Sequence, residues 1–192
     1  MTDSNRQLLT LPRALFATLL ALGAFAAALS VPSVAGAATL GSTHVSSNSN
    51  SGAFCGGFET CGYVQTALPN ATTRAPFDGR IRQWKVNLED PGSVQLLVVR
   101  KQPGGGFKAV ESSAARTTST DGVKTFGANL PIRKGDFVGL NLLDMDVSLH
   151  TLDSMGAPLQ FFTPSFQVGD IQQPFAPFFN STEFLFNAQL KH

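Results

Sequence analysis

Hydrophobic and polar positions follow two different patterns along this chain. Residues 15–29 are an unbroken run of apolar or small side chains, and nothing later in the sequence repeats it. From residue 63 onward, apolar residues come in short runs or at alternate positions, the period of two that marks strands with one buried face. The pattern predicts strands over residues 63–68, 80–88, 94–100, 107–112, 123–130, 137–143 and 183–190, with Val147, Leu149 and Thr151 lining one more. Turn signals separate them: Pro69-Asn70, Ala75-Pro76-Phe77-Asp78-Gly79, Glu89-Asp90-Pro91-Gly92 and Pro103-Gly104-Gly105-Gly106. In 80–88, strict alternation puts Arg80, Arg82, Trp84 and Val86 on one face and Ile81, Gln83, Lys85 and Asn87 on the other. Trp84 and Val86 belong in a core, so Arg82 interrupts the pattern. Phe126, Ala128 and Leu130 share a face. Residues 137–143 are apolar throughout, as a central strand requires, and residues 184, 186, 188 and 190 alternate with 185, 187 and 189.

Eight or nine short strands with no helical stretch among them need a second layer to cover their apolar faces. The expected fold is all-β, a two-sheet antiparallel β-sandwich of jelly-roll-like form, with a closed β-barrel as the alternative. Residues 38–54, rich in Ser, Asn, Thr and Gly, read as a flexible leader. Residues 55–192 read as one domain. Within it, residues 157–182 combine six phenylalanines with four prolines and read as a long loop. Its rings either complete the core over an open sandwich edge or present an aromatic surface to a carbohydrate or protein. On the second reading Phe175, Phe178 and Phe179 are the ligand contacts. Sugar platforms favour Trp and Tyr, and this chain has one of each, Trp84 and Tyr63, both early and structural in character.

The N-terminal run has a destination written into it. Arg6 and Arg13 give a positive head, and Ala35-Gly36-Ala37 offers the small-x-small pattern that signal peptidase accepts. Residues 1–37 are therefore expected to be a secretory signal peptide, with an uncleaved N-terminal anchor as the alternative. A usual membrane helix needs about 20 apolar residues, and Pro32 suits a cleavage region better than a stop-transfer flank. No later segment resembles a membrane span.

Charge then narrows the partners. Without Arg6, Arg13 and Asp3 the remainder carries 12 basic and 12 acidic residues, which argues against a nucleic-acid binder. The distribution is uneven: residues 74–134 hold 11 basic and 5 acidic side chains, and residues 135–192 hold 1 and 6. Two readings stay open, ordinary surface charge once the halves interleave, or a molecule with one basic and one acidic face. The only cysteines, Cys55 and Cys61, enclose two glycines and read as a local disulfide in an oxidising compartment.

Signals for catalysis are sparse. His44, His150 and His192 are scattered, and neither a Gly-x-Ser-x-Gly elbow nor a His-Glu-x-x-His helix is present. His150 reads as a polar strand residue. Asp144 and Asp146 flank Met145, so on a strand both carboxylates face one way, and Asp153 and Asp170 can approach from loops. Such hard oxygen ligands suit a structural calcium ion, the one cofactor the sequence suggests. Gly104 to Gly106 lacks the Lys and helix of a phosphate cradle, while Asn70-Ala71-Thr72 and Asn180-Ser181-Thr182 match the glycan acceptor pattern.

The segment from Cys61 to Trp84, with Pro76-Phe77-Asp78-Gly79 before Ile81-Arg82-Gln83-Trp84, resembles a group of uncharacterised secreted proteins from high-GC Gram-positive bacteria. Leu130-Pro131-Ile132-Arg133-Lys134-Gly135-Asp136 and Leu185-Phe186-Asn187-Ala188 are similar to segments of the same group. The resemblance implies export and a β-sandwich, and brings no binding residues with it. The expected function is a secreted, non-enzymatic binding domain of the cell surface, with a cell-wall glycan or a surface protein as partner. A small secreted hydrolase and a purely structural accessory domain are the alternatives.

Overall fold

The computed structural model describes residues 36–47 and 50–192, and every regular element in them is a strand. The expected signal peptide lies outside the described residues except for Gly36 and Ala37. In chain order the strands are β1 (Ala37–Gly41), β2 (Asn50–Ala53), β3 (Cys61–Gln65), β4 (Gly79–Asp90), β5 (Gly92–Lys101), β6 (Phe107–Ser112), β7 (Arg116–Thr118) and β8 (Gly122–Ile132). They continue as β9 (Phe137–Leu142), β10 (Ser148–Asp153), β11 (Leu159–Phe162), β12 (Ile171–Gln172), β13 (Phe175–Phe179), β14 (Thr182–Phe184) and β15 (Phe186–Lys191).

Two antiparallel sheets result. The first runs β1-β15-β4-β10-β14, with β8 on β4 and β2 on β10; the second runs β12-β6-β5-β9-β3-β11-β13, with β7 on β5. The chain crosses between the sheets at β3–β4–β5 and again at β8–β9–β10–β11, so sequence neighbours become layer partners. This is the expected two-sheet β-sandwich, one sheet being strongly curled into a half-barrel. Between the layers lie Trp84, Val86 and Leu88 from β4, Leu96 and Val98 from β5, Leu140 and Leu142 from β9, and Phe186 and Leu190 from β15. Each such side chain contributes roughly 1.5–3 kcal/mol on full burial. Phe107, Phe137, Phe162 and Phe166 form a second cluster with Val64, Leu97 and Val99.

The periodicity of β4 needed correcting, and the cause is a bulge. Between Gln83 and Ile81 β4 advances two residues while β15 advances one, Gln189 to Leu190. Arg82 is the extra residue. The bulge reverses the phase of alternation, so Ile81 and Trp84, three apart, both point into the core and Arg82 points to solvent.

Other expectations also change. The leader expected at residues 38–54 is largely built into the sandwich: β1 pairs with β15, β2 pairs with β10, and Leu40, Val45 and Cys55 are buried. Gly41 lies at φ 102°, and a Cβ there would meet the Phe186 carbonyl oxygen at 2.5 Å, so close packing of the two chains requires glycine. The single strand expected at 183–190 is two. Leu185 breaks the alternation between β14 and β15 and is itself buried; its N–H donates to the His150 carbonyl and its carbonyl accepts from the Asn87 N–H. The segment 157–182 is no plain loop either. β11 and β13 extend the second sheet, and Phe161, Phe162 and Phe166 are buried while Phe175 and Phe179 are not.

Candidate functional site

Towards the β13 edge of the second sheet the disulfide loop before β3 meets the phenylalanine-rich strands. Cys55 and Cys61 are bonded, with their Cα atoms 5.4 Å apart. The closure demands a tight reversal, supplied by Gly56 and Gly57 at φ 63° and 91° and by a Phe58 N–H to Cys55 carbonyl bond of 3.2 Å. The loop's N-terminal side is held by the Tyr63 hydroxyl, which donates to the Phe54 carbonyl at 2.8 Å. Burial pushes the Tyr63 phenol well above its ordinary pKa, which keeps it a neutral donor. Thus anchored, Phe54 and Phe58 are both held at the surface, partly exposed.

From the other side, the β11–β13 pairing sets Phe161 beside Phe175 and Leu159 beside Phe179. An aromatic path leads from core to surface: Phe184 to Tyr63 at 4.6 Å, Tyr63 to Phe161 at 5.1 Å, and Phe161 to Phe175 at 6.0 Å between ring centroids. Phe58 closes it, 5.7 Å from Phe175 and 6.0 Å from Phe161. The four outer rings, Phe54, Phe58, Phe175 and Phe179, are between 37% and 59% exposed. All four line an apolar pocket of about 130 Å³, and Phe54 and Phe179 also border an adjoining cleft of about 390 Å³. Among the described residues, Asp153, at the end of β10, is the one charged side chain lining either cavity.

Of the aromatic contacts expected from sequence, Phe175 and Phe179 therefore converge on one cleft. Phe178 lies on β13, and its side chain is outside the described residues. Phe54 and Phe58 were missed because they fell within a presumed leader and a disulfide loop.

The two acids proposed for calcium are placed differently from expectation. Asp144 and Asp146 sit in a bend between β9 and β10, not on a strand. Asp144 uses both carboxylate oxygens on backbone donors, Ser93 N–H at 2.8 Å and Val147 N–H at 3.0 Å, while Asp146 is exposed. Asp170 likewise accepts from the Gln167 N–H in its own turn, at 2.8 Å. Among the described residues, no three His, Cys, Asp or Glu side chains gather as metal ligands.

Sequence reading also passed over a buried polar group. Glu183 on β14 is buried, and one of its oxygens, Oε1, accepts from the Ser42 hydroxyl at 2.5 Å and lies 3.1 Å from His44 Nδ1. The His44 N–H donates to the Ser42 hydroxyl at 2.8 Å. A nucleophilic relay needs serine on the imidazole and the carboxylate behind it. Here the serine is fully buried and bonded to the carboxylate, so the three residues pin the segment after β1 to β14. His150 is half-buried on β10.

No family model matches the chain, and no curated protein or solved structure shows significant similarity to it. Among the described residues, no helix is long and apolar enough to cross a membrane.

Proposed function

We propose that the protein is an extracytoplasmic, non-enzymatic binding domain that docks a protein partner through the aromatic cleft. The observation that carries this reading is the gathering of four exposed phenylalanines around one apolar pocket, while the other described aromatic side chains are buried or, like Phe77 and Phe126, half-buried. Exposed aromatic anchors beside a pocket are the usual centre of a protein interface. The partner offers an extended segment with apolar side chains. β13 ends the order of the second sheet, so such a segment adds along its edge while a side chain enters the cleft.

Two features disfavour a sugar in this cleft. Phe58 and Phe161 meet Phe175 at interplanar angles of 73° and 82°, which offers ring edges where a pyranose needs a flat face, and phenylalanine has no polar handle. The bond between Ser42 and Glu183 disfavours the hydrolase reading. Export is supported by the Cys55–Cys61 disulfide and by the signal-peptide pattern of residues 1–37.

Site-specific photocrosslinking on intact cells tests the proposal. A benzophenone side chain at Phe54 or Phe179 is expected to give a peptide adduct, and the same group at exposed Val123 on β8 is not. Adducts to lipid or sugar, or none that depend on the cleft positions, overturn the reading.

A further inference from the structure

The outer face of the first sheet carries chemistry of another kind. Register sets Lys191 opposite Arg80, Gln189 opposite Gln83, and Asn187 opposite Lys85 across β15 and β4. All six point away from the core, since Leu190, Ala188, Ile81, Trp84 and Val86 between them are fully buried. The bulge adds Arg82 to this face. Its guanidinium and that of Arg80 both donate to Asn129 Oδ1 on β8, at 2.5 and 2.6 Å, and Arg80 also donates to the Asn129 carbonyl at 2.8 Å. Four cations and four carboxamides thus share one surface, and the β4 row reaches a carboxylate only at Glu89, beyond Asn87, where it accepts from the Ser148 hydroxyl at 3.2 Å.

The arrangement is electrostatically unfinished. Like charges directly opposite on one sheet face repel, as Lys191 and Arg80 do. Two guanidinium groups converge on a neutral oxygen where a carboxylate would neutralise them. The ion pairs among the described residues, His44–Glu183 and Arg100–Asp136, involve none of these cations. Two shallow depressions mark the face, one of about 310 Å³ beside Lys85 and Asn187, the other of about 280 Å³ beside Gln189 and Lys191.

We infer that this face binds an anionic polysaccharide. Acidic groups on the chain, uronate or phosphate, engage Arg80, Arg82, Lys85 and Lys191, and sugar hydroxyls exchange hydrogen bonds with Gln83, Asn187 and Gln189. The site is independent of the aromatic cleft. Three of its cations, Arg80, Arg82 and Lys85, come from residues 74–134 and the fourth, Lys191, from residues 135–192, so the face gathers charge from both halves of the sequence.

The test measures retention of the protein on polygalacturonate, on neutral dextran and on polyglutamate at low and high salt. Binding to polygalacturonate that weakens with salt is expected, with little on dextran and less on polyglutamate. The Arg80→Gln/Arg82→Gln pair should weaken it by about tenfold or more, as loss of two counterion-releasing contacts predicts. Asn129→Asp should weaken it too, by giving both arginines an internal anion, while the melting temperature shows the variant folded. Equal binding to dextran or polyglutamate, no binding to polygalacturonate, or unchanged binding by the double variant overturns the inference.

Discussion

The aromatic cleft and the cationic face belong to the same sandwich but are assembled in opposite ways. The cleft draws on residues from 52 to 182, brought together by a covalent loop and by the far end of the second sheet. The face is mostly three strands in register, and its geometry follows once β4 is placed between β8 and β15. The first is an arrangement of loops and edges that a local change can remove. The second cannot be lost without losing the sheet, although its charge can be altered at will.

The largest test of that contrast strikes the support the two sites share. Trp84 is fully buried beneath the cationic face, with its ring 4.6 Å from Phe126. Trp84→Ala should cost about 3–5 kcal/mol, a large part of the stability of a domain this size. Urea unfolding should show the loss, and both binding activities should fall together. Trp84→Phe should cost distinctly less, since the indole Nε1 has no hydrogen-bond partner among the described residues and its removal leaves nothing unpaired.

Next in size is the disulfide. Replacing both cysteines, Cys55→Ser with Cys61→Ser, should cost about 2 kcal/mol for so short a loop. Here the two regions should part company. Crosslinking from Phe54 should vanish while retention on polygalacturonate persists. A parallel loss of both would show that the face depends on the cleft end of the fold, against the register argument.

Tyr63 gives a smaller effect with a pH signature. Its hydroxyl bond to the Phe54 carbonyl is worth about 1 kcal/mol, the expected cost of Tyr63→Phe. Burial raises the phenol's pKa in the folded state, so the protonated form favours folding. The contribution is complete below the unfolded value of 10.0 and is lost as pH climbs from there toward the higher folded value. Stability measured above pH 10 should fall with pH more steeply in the parent protein than in the phenylalanine variant.

Why one region was more legible than the other has physical causes. Strands with one buried face announce themselves: β6 falls on its predicted residues, and Phe126, Ala128 and Leu130 pack together against the core as their alternation requires. The cations of β4 were visible too, but strict alternation put Arg80 and Arg82 on the face of Trp84. One unpaired residue shifts a period-two pattern by a full phase, and no propensity marks where the shift falls. The leader was misjudged because Ser, Asn and Gly carry little apolar signal. β1 is held instead by backbone pairing to β15 and by one buried leucine, Leu40. The cleft and the Ser42–His44–Glu183 cluster both join residues more than a hundred positions apart, and local pattern has no access to such contacts.

The smallest effect tests the face by stability alone. Asn129 holds two guanidinium groups at a surface where an exposed ion pair is worth about 0–1 kcal/mol. Asn129→Asp should therefore stabilise the protein slightly, by up to about 1 kcal/mol. Salt supplies the control. In the parent, moderate salt screens repulsion among Arg80, Arg82 and Lys191 and should raise the melting temperature. In the variant the same salt screens an attraction as well, so the rise should shrink or reverse. Substituting Phe54 or Phe179 by Ser should leave the salt response as it is in the parent, because among the described residues no cation lines the cleft. If the aspartate variant kept the parent's salt response, repulsion at Asn129 would not be a property of this face, and the case for an anionic ligand there would lose its electrostatic basis.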